Sequence, residues 1–209
     1  MSLKRSTIVL ALAVLTASVT LYAQEGKQTT AHWTEGPIQI DGRLEESDWD
    51  LAEPVSDFVQ VEPREGGTPT ERTEVRVLFD QDRLYIGVYL YDSSPDRILI
   101  NDLQRDFQTR EGDVFGVIVD AFNKNRTSFA FFTNAEGAKN DSQGLGNGRY
   151  TNTSWDGIWY TASQVQEDGW TCEIAIPFRT LRFEAQENQV MGINFKRRIR
   201  RKNEDLYWS

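Results

Sequence analysis

Cysteine, histidine and methionine are nearly missing from this chain. Cys172 is the one cysteine in 209 residues, so an internal disulfide is excluded. Inside an apolar stretch, its thiol reads as buried and inert. The lone His32 lies ahead of the strand-like segments, no C-x-x-C-H haem-attachment motif occurs, and Met191 is the only methionine besides Met1. Past residue 23 no apolar run approaches the roughly 20 residues that a membrane helix needs. Amphipathic helical periodicity of real length is absent, as are internal repeats, an EF-hand loop and a short motif marking a nucleophile. Positive charge is in deficit, with 23 Lys and Arg against 32 Asp and Glu and a net charge of −9. That balance argues against a nucleic-acid partner, whose phosphates require a basic surface, and suits neutral ligands or cations.

Residues 1–23 stand apart. Lys4 and Arg5 precede an apolar run from Ile8 to Val19, and Leu21-Tyr22-Ala23 ends on a small residue, the pattern of a secretory signal peptide. With that segment removed the net charge becomes −11, because it carries two bases and no acids. The chain is then expected in the periplasm, at the outer membrane or outside the cell. Residues 24–36 are polar, and residues 37–209 form one domain.

What is abundant is strand patterning. Residues 112–141 read as two strands around a turn at Asn123-Lys124-Asn125. Phe115, Val117, Val119 and Ala121 share one face of the first arm, with Val114 and Ile118 on the other. A strand apolar on both faces is expected to be central and covered on both sides. Phe129 and Phe131 share one face of the second arm. Upstream, Ile38 and Ile40 alternate as a short strand, and Ser47 caps a helical turn that buries Trp49 and Ala52. Phe58 to Val61 suits an edge strand. Val75, Val77 and Phe79 alternate in one strand. In the next, Leu84, Ile86, Val88 and Leu90 oppose Tyr85, Tyr89 and Tyr91.

Ala138 to Thr153 is rich in glycine and asparagine and reads as a long flexible loop. A strand from Ile158 turns at Asp168-Gly169 into Trp170, Cys172, Ile174 and Ile176. Phe178 to Leu181 forms a short turn. Val190 to Arg201 is a strand that places Arg197 on an apolar face, where it needs a partner, with Glu173 the candidate. Leu206 to Trp208 closes an edge. The sum is an all-β, antiparallel two-sheet sandwich, immunoglobulin- or jelly-roll-like.

Five phrases in order, IDGRLEESDWDLA, TEVRVLFDQDRLYIGVYLYD, GDVFGVIVD, DGWTCEIAIPF and GINFKRRIRRKNEDLYWS, resemble a family 9 carbohydrate-binding module across residues 36–209. LQRDF, SWDGIW and RRKNEDLYWS are similar to the copy at the N-terminus of bacterial surface proteins that continue into a β-barrel-like envelope domain. The resemblance implies a sandwich that binds the ends of poly- or oligosaccharide chains between aromatic rings, without catalysis, and with calcium in a structural role. The sequence departs from the xylanase-linked type in lacking a second stacking tryptophan outside core-like positions. Related sandwiches hold haem, so a haem-binding electron-transfer domain is one alternative, with Met191 as ligand or as core. Part of a glycoside hydrolase is another, although the fixed separation of two carboxylates that such chemistry needs is not readable here.

Sugar recognition calls for a flat ring against C–H groups and charged or amide groups forking onto hydroxyls. Trp155, set among polar residues, fits a ligand contact or a lid over the core. Trp49, Trp159, Trp170 and Trp208 fit the core. Arg105, Asp106, Asn134, Asp141 and Asp156 are the polar candidates. Asp113 and Asp141 are the candidates for calcium, which favours hard oxygen ligands.

Overall fold

A period of two in the apolar residues dictates most of what forms. The computed structural model describes residues 26–182 and 189–208. The expected signal peptide, residues 1–23, lies outside the described residues. Among those, twelve strands occur: β1 (His32–Trp33), β2 (Val59–Glu62), β3 (Thr73–Phe79), β4 (Arg83–Tyr91), β5 (Val114–Asp120), β6 (Thr127–Asn134), β7 (Lys139–Leu145), β8 (Tyr150–Asn152), β9 (Tyr160–Gln166), β10 (Gly169–Pro177), β11 (Gly192–Ile199) and β12 (Glu204–Tyr207). One short helix, α1 (Phe178–Leu181), follows β10. The smaller sheet runs β1-β3-β4-β10-β9 and the larger β2-β12-β11-β5-β6-β7-β8. Neighbours are antiparallel except β1 and β3. This is the expected antiparallel sandwich.

The core lies between the sheets. Val75, Val77, Ile86, Val88, Leu90, Cys172 and Ile174 of the small sheet are buried, as are Phe115, Val117, Val119, Phe129, Phe131 and Phe195 of the large one. Each such side chain contributes about 1.5–3 kcal/mol by leaving water. Trp159, Trp170 and Trp208 join this core, and burial pushes the Cys172 thiol pKa up.

A segment ahead of β2, residues 38–52, straps the outer face of the small sheet. Ile38, Trp49 and Ala52 pack there on Leu78, Tyr85 and Ala175. Gly87 in β4 lets the Trp49 ring lie flat, since a Cβ at that position would sit 2.7 Å from it. Gly42, at φ +86°, takes a turn that favours glycine. Glu173 Oε2 accepts the Asp41 and Gly42 N–H groups at 2.9 Å each. Burial raises the pKa of that carboxyl to about 7.

Several expectations change. Ile38 and Ile40 belong to the strap and form no strand, although Ile38 is buried. Ser47 opens a 3-10 turn whose cap position is Glu46, with no side-chain cap bond. The β9–β10 turn falls on Glu167-Asp168, one residue early. β12 sits inside the large sheet, with β2 at the edge. Residues 138–153 are not one loop: they form β7 and β8 around Gly146-Asn147-Gly148. Backbone pairing with β6 sustains β7 despite its polar side chains.

Arg197 does not meet Glu173. It lies between the sheets and donates to the Arg72 and Tyr91 carbonyls, at 2.7 and 2.6 Å, and to Thr73 Oγ1 at 2.9 Å. Glu173 faces the strap on the opposite side of the small sheet. Burial lowers the Arg197 pKa to about 10.

Candidate functional site

Among the described residues, the outer face of the large sheet is covered at one end only. There Val114 packs with Phe107 and Ala138, and Phe132 leans on this cluster. Phe132 lies over Gly116, where a Cβ would come within 2.1 Å of its ring. Toward the other end Ile118 is half-buried, so β5 is central but not covered along its whole length as the sequence suggested.

That open end is a groove of about 470 Å³, within the size range of ligand sites. Its floor is Ile118 with Ser128, Gly192 and Asn194 on adjoining strands, and the turns carrying Asn125 and Arg126 and Asn147 and Gly148 wall it. The sheet order places β11 beside β5 and brings Asn194 opposite Ile118. Asp120 anchors the first wall: its carboxylate accepts the Phe122, Lys124 and Asn125 N–H groups at 3.1, 2.9 and 2.5 Å. Asn123 and Asn125 take positive φ, 49° and 55°, which asparagine tolerates. Tyr150, 71% exposed, rests beside Gly146 at the second wall. Amides, a hydroxyl, a guanidinium and a small apolar floor are the groups that hold a polyhydroxylated ring.

The residues singled out from sequence mostly converge elsewhere. Arg105 Nη2 donates to Asp141 Oδ1 at 2.6 Å and to Asp156, with Asp106 Oδ1 4.0 Å from Nε. Asp141, 1% exposed, also accepts the Gly157 N–H at 2.6 Å. Trp155 is half-buried, with its ring 4.9 Å from Phe129 and 5.9 Å from Phe131. Residues as far as 51 apart in sequence thus form one patch at the β6–β7 side of the sandwich, and Trp155 seals that side. Asn134 supports the patch: its Nδ2 donates to the Asp102 carbonyl at 2.8 Å, and its Oδ1 accepts the Glu136 and Ala138 N–H groups.

Asp113 is not brought to Asp141. The strand register sets them four residues apart along the sheet and two strands across, about 13 Å by about 10 Å. Asp113 accepts the Arg200 N–H at 2.7 Å, and burial raises its pKa to about 6. Calcium takes six to eight oxygens. Asp141 already answers to a guanidinium and an N–H, and among the described residues no group of three or more His, Cys, Asp or Glu is placed to hold a metal. The pair Asp113 and Asp141 therefore does not fit one calcium ion. Met191 packs against the main core, and His32 is exposed on the edge strand β1.

The fold is that of a two-sheet β-sandwich module with a groove on the outer face of its large sheet. The family described as carbohydrate family 9 binding domain-like matches residues 40–204, and the chain belongs to that family, whose members are non-catalytic binding modules. Solved structures of similar fold include a family 9 carbohydrate-binding module from Caldicellulosiruptor kristjanssonii in complex with cellotriose. It has a TM-score of 0.60 at 16% identity, covering 87% of this chain and 84% of that one. The same module in complex with glucose matches at 0.60 and 16%, covering 87% and 85%. A putative carbohydrate-binding protein from Bacteroides uniformis matches at 0.66 and 12%, covering 85% and 87%. No curated protein matches the chain in sequence.

Proposed function

We propose that this chain is the saccharide-binding module of an exported envelope protein, that it performs no chemistry itself, and that an oligosaccharide lies in the groove on the outer face of the large sheet. The groove carries the reading: it gathers three asparagines, Ser128 and Arg126 over an Ile118 floor, beside the exposed ring of Tyr150. Family membership and the cellotriose and glucose bound by a module of the same fold support a sugar as the occupant. Residues 1–23 support export. The subgroup phrases support attachment to a C-terminal envelope barrel, and the xylanase-linked type of the family supports a hydrolase as the alternative, in polysaccharide capture or degradation.

Titration of a glycan panel, with Ile118→Trp as the blocking variant, tests the site. Ile118 points outward, so the larger side chain enters the groove and leaves the core intact. Saccharide binding should disappear while the melting temperature is kept. Unchanged binding by Ile118→Trp would rule the groove out.

A second reading places the sugar at Trp155. Its support is that Arg105 and Asp156 remain exposed, at 38% and 74% of their side chains, beside a half-buried indole. The Arg105 guanidinium, however, is already shared between Asp141 and Asp156.

A further inference from the structure

We infer that the saccharide taken by this groove is acidic, a chain carrying uronate carboxylates. This rests on the groove being the sugar site.

The whole chain carries a net charge of −9 and on that ground alone should prefer neutral ligands. The groove's surroundings have the opposite sign. Lys124 and Arg126 stand on the turn forming one wall, and Arg149 follows Gly148 on the other. All three are exposed. None is in an ion pair among the described residues, in contrast to Arg198, Arg201 and Lys202, each of which meets a carboxylate. Among the described residues, the one carboxylate that lines the groove is Asp120. It accepts three N–H groups of its own turn and stays committed to holding that wall. A guanidinium offers paired N–H groups that match a carboxylate in two parallel bonds. A neutral sugar has no use for three cations that are unpaired among the described residues around its site, whereas a uronate chain gives each a partner. The acidic remainder of the molecule does not cancel this, because charges more than about 10 Å away are largely screened at 0.1 M salt.

The test is calorimetric titration of the whole chain with a trigalacturonate and with its neutral galactose counterpart, at 0.1 M and 1 M salt. The uronate should bind about tenfold more tightly at 0.1 M, the order set by three exposed ion pairs. The advantage should shrink to less than about twofold at 1 M, where screening acts within about 3 Å. The double variant Lys124→Gln/Arg149→Gln, altered at the rims and not in the lining, should lose most of the preference and keep neutral-sugar affinity within about twofold. Equal affinity for the two sugars at 0.1 M overturns the inference, as does a preference that survives the double variant. If the neutral sugar binds and Ile118→Trp abolishes that binding while no uronate preference exists, only this inference fails. If neither sugar binds, this inference fails, and the groove reading is decided separately by the glycan panel with Ile118→Trp.

Discussion

Replacing Trp155 by alanine separates the two candidate sites. The indole is half-buried and lies against Phe129 and Phe131, two residues of the main core. Removing a fully buried tryptophan costs about 3–5 kcal/mol. With roughly half of the ring facing solvent, the cost here should be about 2 kcal/mol. For a domain of this size each kcal/mol shifts the melting temperature by roughly 2–4 °C, so Trp155→Ala should melt about 4–8 °C lower. The ring packs against the core-facing side of the large sheet, whereas the groove opens on the other side. Affinity for the best saccharide should therefore stay within about twofold. Trp155→Phe, which keeps a ring on Phe129, should recover part of the lost stability. The assays are thermal melting and calorimetric titration of the same samples. An affinity loss of about thirtyfold with an unchanged melting temperature would refute the reasoning and move the site to Trp155, since that loss is the roughly 2 kcal/mol of a stacking contact.

Glu173 and Asp113 both have raised pKa values, about 7 and about 6. Their contribution is complete below their ordinary carboxylate range and is lost as pH rises through 6–7, so stability should fall by about 3 kcal/mol per group between pH 4 and pH 8. Denaturant melts should show the decline, and Glu173→Gln should remove the Glu173 share; a rise in stability from pH 5 to 8 would contradict it. Asp57 and Glu71 are shifted the other way, and their contribution is lost as pH falls through pKa values below the ordinary range, so the optimum should be mildly acidic. Arg197→Leu leaves the Arg72 and Tyr91 carbonyls without that donor and should cost about 3 kcal/mol, read by urea denaturation; a cost below about 1 kcal/mol would show that the buried guanidinium is dispensable. Chelation of calcium should leave the melting curve unchanged, because Asp113 and Asp141 do not converge; a fall in melting temperature would reveal a calcium site built from other groups.

The sandwich was legible because inward and outward positions alternate strictly in the core strands: Val75 and Val77, Leu84 to Leu90, Phe115 to Val119. Each placed its own face before any neighbour was known. β7 and β8 were not legible, since Lys139 to Leu145 carries amides and glycine, and what holds it is backbone pairing with β6. Pattern reading detects burial of side chains and is blind to ladder bonds. The Arg105–Asp141–Asp156 cluster was half legible: the residues stood out as polar groups at strand ends, but only the folded chain shows them satisfying one another. The groove was missed because its lining comes from β5, β6, β11 and two turns, and β11 reaches β5 through a non-local pairing. The signal that was present is the pair of asparagine-bearing turns, Asn123-Lys124-Asn125 and Gly146-Asn147-Gly148.

The most direct test of the groove as the sugar site is a backbone amide spectrum of the labelled chain, titrated with the tightest saccharide of the panel. Shifts should cluster at residues 118–128, 147–150 and 192–194, the two walls and the floor. Shifts confined to residues 104–106, 141 and 155–157 would contradict the account and give the site to Trp155 and Arg105.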